Sequence, residues 1–237
     1  NLLFLLEYAS IHKDEEVAKM VEHTLTSMYR GGIFDHIGGG FSRYSTDKKW
    51  LIPHFEKMLY DNALLATAYL KAFEYSNQPL YAEIAERVLT YVLRELTNPD
   101  GGFYCSQDAD SEGIEGKYYA FSPEEIIAVL GKELGKLFCN FYAITSQGNF
   151  EGKSIANLLD NAAGGGGGFI AELCGNHERA ERDGGVVSCK RARRDLTGIN
   201  GLCVLGGGRA GLGGKLDRHA ADGGSHLASG RSSTADF

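Results

Sequence analysis

From Asp14 to Arg30 the polar residues Glu15, Lys19, Glu22 and Thr26 recur at helical spacing, with Val17, Met20, Val21, Leu25 and Met28 on the opposite stripe. This spacing predicts an amphipathic helix with one wet face, stopped by Gly31 and Gly32. A long loop follows to about Leu51, with three further glycines at 38–40. Pro53 suits a first helical turn, so a second helix is expected from about His54 to Ser76. In it Leu64, Leu65, Ala66, Ala68, Tyr69, Leu70 and Phe73 cover nearly the whole circumference, which predicts burial on most sides. Pro79 opens a third helix to about Leu96, with Glu83, Glu86, Arg87, Thr90 and Arg94 opposite Ile84, Val88, Val92 and Leu96.

Asn98-Pro99-Asp100-Gly101-Gly102 is a turn signal. The aromatic runs Phe103 to Ser106 and Lys117 to Phe121 around an acidic loop predict a small β-hairpin. Ser122-Pro123-Glu124-Glu125 is a helix start with a capping box, and helices should continue to about Tyr142, broken near Gly131. A repeating pair of one buried and one half-wet helix suggests an α/α toroid whose inner ring lines a pocket. Periodicity alone fits an irregular helical bundle equally well.

Composition divides the 237-residue chain near residue 160. All 12 Tyr, the one Trp and all 4 Pro fall before it, whereas 19 of the 32 Gly fall after it. Residues 1–160 alone look able to build a core. Residues 161–237, Gly/Ala/Arg-rich, bury too little apolar surface to offset their ordering entropy and are expected to be a disordered or out-of-frame tail. A net charge of −7 argues against nucleic-acid partners and against attachment to anionic membranes. No apolar stretch reaches the ~18–20 residues of a membrane span. Asn1 to Leu6 is apolar without a basic leader or cleavage-type residues, so it reads as a chain beginning mid-protein. Five scattered cysteines without C-x-x-C favour reduced thiols, hence a lean toward a cytoplasmic compartment, with no metal and no cofactor expected.

The chemistry concentrates in two segments. Between Gly31 and Asn62 stand Asp35, His36, Arg43, Tyr44, Trp50, His54, Glu56, Asp61 and Asn62. Aromatic faces for C–H surfaces, Arg and Asn for hydroxyls, and His or carboxylates to move protons are the parts of a sugar site. On a helix, His54 and Asp61 would share one face two turns apart. The structural alternative has Asp35 capping a turn, Arg43 paired with a carboxylate and His54 a satisfied core histidine. The second segment, Asp108 to Lys117, opens like a calcium loop but has Tyr119 where a bidentate Glu is required. Asp108 and Asp110 remain candidates for an acid and base pair, or for a solvated turn. Gly148 to Ser154 has three residues between its glycines where a phosphate loop has four, which excludes nucleotide binding there.

Gly31-Gly32-Ile33-Phe34-Asp35 through Gly40, Arg43-Tyr44-Ser45, Trp50, Pro53 through Ala63, Gln107 through Gly113 and Gly148 through Lys153 closely resemble the spermatogenesis-associated protein 20 family. The resemblance covers roughly residues 1–160. It implies a partial (α/α)6 toroid of the six-hairpin glycosidase and N-acylglucosamine 2-epimerase type, so the expected class is all-α with a small hairpin insertion. Family members typically carry an N-terminal thioredoxin-like domain; the resemblance over residues 1–160 does not include it, so no redox function is expected to carry over. A half-toroid leaves inner helix faces uncovered, and turnover by this chain alone is not expected. The resemblance implies a carbohydrate small-molecule substrate, with Asp35, His36, His54, Asp61, Asp108 and Asp110 as candidate catalytic groups. Arg43, Tyr44, Trp50, Glu56 and Asn62 are the candidate substrate contacts. The leading expectation is a sugar epimerase, isomerase or glycosidase type of site; the alternative is a non-catalytic module working with the thioredoxin-like domain.

Overall fold

A computed structural model describes residues 1–161, and the expectations for the Gly-rich remainder lie outside the described residues. Six helices and four two-stranded antiparallel pairs make up the described chain. α2 (Glu15–Arg30) forms where the wet stripe predicts it. The Asp14 carboxylate caps it by accepting from the amides of Glu16 and Val17, and Glu15, Glu16 and Arg30 complement its dipole. Its buried side is Ala18, Val21, Leu25, Met28 and Tyr29, while Met20 points outward. α4 (Pro79–Glu95) matches its prediction, as do α5 (Pro123–Leu130), with the Ser122/Glu125 capping box, and α6 (Lys132–Phe141) beyond the break at Gly131.

The structure adds one helix and moves the start of another. A helix, α1 (Leu2–His12), occupies the apolar N-terminal run, which carries no polar stripe to announce it. α3 (Leu59–Ser76) begins at Leu59, not near His54. Pro53–His54 is instead strand β2, paired with β1 (Tyr44–Ser45), and Lys57–Met58 is β3. The reason lies in the side chains from 53 to 58. Pro53, Phe55 and Lys57 are buried while His54, Glu56 and Met58 are half-buried, a period of two that only an extended chain satisfies. His54 and Asp61 therefore do not share a helix.

The hairpin between 103–106 and 117–121 also does not form. β4 (Ser106–Gln107) pairs back to β3, and β7 (Ala120–Phe121) pairs forward to β8 (Ser154–Ile155). Between them β5 (Asp110–Ser111) and β6 (Ile114–Glu115) close their own short hairpin. β3 with β4 and β7 with β8 thus take their partners from tertiary packing, whereas β5 and β6 meet across their own two-residue turn.

Each helix of the first four packs on its successor in the pairs α1/α2 and α3/α4, and α1 also packs on α3. The core between them holds Leu25, Tyr29, Phe34, Phe41, Tyr69 and Ile84, and the Tyr69 hydroxyl donates to the Leu25 carbonyl at 2.7 Å. α3 is not covered on most sides: Leu64 is 56% and Leu70 42% exposed, beside an exposed Tyr60. α1 likewise exposes Phe4, Tyr8 and Ile11 on one face. Among the described residues no helix is long and apolar enough to cross a membrane.

The loop after α2 closes onto α4 at Gly40, whose φ of +80° is left-handed and whose missing Cβ leaves room for the Tyr91 ring. Gly40→Ala is expected to lower stability by roughly 1–3 kcal/mol through backbone strain and this clash. Urea unfolding followed by circular dichroism measures it.

Candidate functional site

The alternation from 53 to 57 sends polar chemistry to two sides of one extended segment. On the inner side Lys57 is 1% exposed. Its Nζ donates to Asp35 Oδ2 at 2.8 Å and to the Gly39 carbonyl at 2.9 Å, and lies over the rings of Tyr91 and Tyr119. Asp35 Oδ1 accepts from the amides of Ile37 (2.9 Å) and Gly38 (2.7 Å). Burial by itself would lift the Asp35 carboxyl, but the Lys57 ammonium and the two amides outweigh it and hold it below the usual carboxylate range. Burial pulls Lys57 down against the opposing pull of Asp35.

His36 belongs to this inner layer. It is 5% exposed, its Nε2 faces the Gly31 carbonyl at 3.1 Å, and Tyr29, Phe34 and Tyr142 surround its ring. Burial, then the nearby Arg87, lowers its pKa to about 3, so the ring is neutral. Asn62 is wholly engaged with the backbone: it accepts from the Phe41 amide and donates to the carbonyls of Phe41 and Met58. Trp50, at φ +63°, packs on the main core, and its carbonyl accepts from the Ile33 amide.

On the outer side five of the predicted residues meet. His54 and Tyr44 face each other across β1 and β2 with rings stacked at 5.1 Å. His54 Nε2 lies 3.8 Å from Glu56 Oε2, and Arg43 Nη1 donates to that same oxygen at 3.1 Å. Asp61, in the first turn of α3, feels both Arg43 and Glu56, and its Oδ2 is buried without a hydrogen-bond partner. Burial raises the Asp61 carboxyl above its ordinary value, Arg43 opposes the rise and Glu56 adds to it. Thus Arg43, Tyr44, His54, Glu56 and Asp61 form one rim at the start of α3.

Asp108 Oδ1 accepts from the Asp110 amide at 3.1 Å as a turn cap, and Asp110 is an exposed residue of β5. The β5–β6 hairpin delivers a residue the sequence reading passed over: Glu115, whose Oε1 is 2.8 Å from His54 Nδ1. Lys57 was missed too, although the alternation of Pro53, Phe55 and Lys57 was the available signal. Among the described residues no three His, Cys, Asp or Glu side chains are grouped so as to hold a metal ion.

No family model matches the chain. Among curated proteins it is 41% identical over 167 residues to Spermatogenesis-associated protein 20 of Homo sapiens, covering 62% of this chain and 21% of the relative. The mouse protein of that name is 39% identical over 175 residues, 66% of this chain and 22% of the relative. An uncharacterized protein of Caenorhabditis elegans is 35% identical over 168 residues, covering 63% and 23%. The chain spans about a fifth of the length of the curated relatives it matches.

Replacing Asp35 by Asn leaves the buried Lys57 ammonium without its counter-charge and should cost about 3–5 kcal/mol. The Asp35 carboxylate has a depressed pKa in the folded chain. Its stabilisation is therefore complete above the ordinary unfolded value near pH ~4 and is lost as pH falls through the folded value. Unfolding free energies measured from about pH 6 to about pH 2.5 should accordingly fall less steeply in Asp35→Asn than in the unaltered chain.

Proposed function

We propose that this chain, which carries a segment of the spermatogenesis-associated protein 20 family, forms one wall of a carbohydrate-active site of the sugar epimerase or isomerase type. The reading rests on one observation: a half-exposed histidine stands between two carboxylates with an aromatic ring on its face and an arginine beside it. In this reading His54 withdraws the proton on the carbon next to a sugar carbonyl, which a positioned imidazole can do near neutral pH. Asp61, raised by burial, is suited to hold and return a proton. Tyr44 offers a ring face to the sugar, and Arg43 anchors Glu56 while presenting its remaining donors to hydroxyls.

Glu56 and Glu115 outnumber Arg43 at the rim, which favours neutral sugars over phosphorylated ones. Glycoside hydrolysis by Asp108 and Asp110 has less support, because Asp108 is engaged as a turn cap.

Residues 1–160 are read here as the N-terminal part of an (α/α)6 barrel-like domain, with α1 and α3 as inner helices and α2 and α4 as outer ones. The packing of α1 on α3, and the wet outer stripes of α2 and α4, support that arrangement. The exposed apolar residues Tyr8, Tyr60 and Leu64 favour a second reading, a docking wall for a peptide or client presented to a thioredoxin-like domain in longer family members.

A full-length relative incubated with reducing sugars in deuterated water should exchange a carbon-bound proton. Changing the histidine equivalent to His54 to Ala should slow that exchange at least ~100-fold. Absence of exchange with every sugar tested would transfer support to the docking reading.

A further inference from the structure

We propose that Glu115 is the positioning residue for His54, fixing its ring with the proton on Nδ1 and the lone pair of Nε2 turned to the open rim. The inference deepens the sugar-site reading and rests on it for its chemical meaning, because only an unprotonated Nε2 can take a proton from a substrate.

Glu115 Oε1 lies 2.8 Å from His54 Nδ1, close enough for an N–H donor to a carboxylate acceptor. Nε2 has no equally close partner: Glu56 Oε2 is 3.8 Å away and already receives Arg43. A carboxylate on one ring nitrogen sets the tautomer and leaves the other nitrogen as the working atom.

An ordinary exposed ion pair would hold this geometry loosely, since two flexible side chains lose entropy on pairing. Here the two backbones are fixed to one another. Phe55, between His54 and Glu56, stacks on Tyr119 at 5.3 Å with planes 9° apart and meets Phe150 edge-on. Gly116, next to Glu115, lies against the Phe55 ring so closely that a Cβ would enter it, and its φ is +72°. Its amide donates to the Ala109 carbonyl at 3.1 Å, which returns the hairpin to the segment it left. The apolar cluster of Phe55, Ala109, Tyr119 and Ile155 thus registers β6 against β2. Tyr44 stacks on the imidazole and limits rotation of the ring.

The test uses the full chain labelled with 15N-histidine, read by long-range proton–nitrogen correlation above about pH 8.5, where an ordinary imidazole is neutral. His54→Gln identifies the His54 signals by their loss. In the unaltered chain His54 should be the Nδ1–H tautomer, and Glu115→Ala should move it toward Nε2–H, with Glu115→Gln restoring part of the original state through its amide oxygen. A role limited to packing leaves the tautomer unchanged in Glu115→Ala, and that result overturns the proposal. An Nε2–H tautomer in the unaltered chain overturns it as well, without reference to any variant. The nitrogen signals do not depend on turnover, so failure of sugar exchange and failure of this positioning role are read separately.

Discussion

An ammonium group taken out of water survives in a protein only where opposite charge, carbonyl oxygens and ring faces together replace its hydration. Lys57 has all three, in Asp35, the Gly39 carbonyl and the rings of Tyr91 and Tyr119. These partners come from three separate stretches, the glycine loop after α2, α4 and the strand region before α5, and Lys57 itself brings a fourth, the segment entering α3. Because the charge tolerates no loose partner, the requirement to satisfy it fixes all four stretches relative to each other. The rim of Arg43, Tyr44, His54 and Glu56 is carried on the same backbone and inherits its placement from that demand.

The glycine loop shows the same economy of polar groups. Arg87 donates to the His36 carbonyl at 2.6 Å and Arg94 to the Gly38 carbonyl at 2.5 Å, so two arginines of α4 satisfy loop carbonyls that water no longer reaches. At the far end Arg30 makes four contacts to the carbonyls of Leu158, Leu159 and Asn161, drawing the end of the described chain back to α2. At these positions the arginines serve as partners for backbone carbonyls, as Asn62 does for the carbonyls of Phe41 and Met58.

What the sequence revealed follows from where polar stripes exist. α2 and α4 each keep one wet face, so their period of 3.6 is visible, and the Ser122/Glu125 box marks α5 from local chemistry alone. α1 has no polar stripe and therefore no visible period. Pro53 carries two meanings, helix opener or strand residue, and the deciding fact is the burial of Lys57, which local rules predict to be exposed. The strand pairs are two residues long, and β3–β4 and β7–β8 draw their partners from distant sequence, beyond the reach of turn signals. For the site, residue type and proximity along the chain pointed to His54, Glu56, Arg43, Tyr44 and Asp61, which the fold gathers. The same signals could not separate them from Asp35, His36 and Asn62, which the fold uses for its own cohesion. Glu115 was hidden because its partner lies 61 residues away.

The odd-numbered and even-numbered residues from 53 to 57 answer to different demands. Pro53, Phe55 and Lys57 hold the chain to the interior, and His54 and Glu56 face outward on the same backbone. Mutational change at the outward pair is thereby decoupled from folding, while the inward three keep the display surface in place. A lineage built on this segment can vary what it displays at two positions without first surviving a loss of stability, which makes the strand a point of evolvability and not only an anchor.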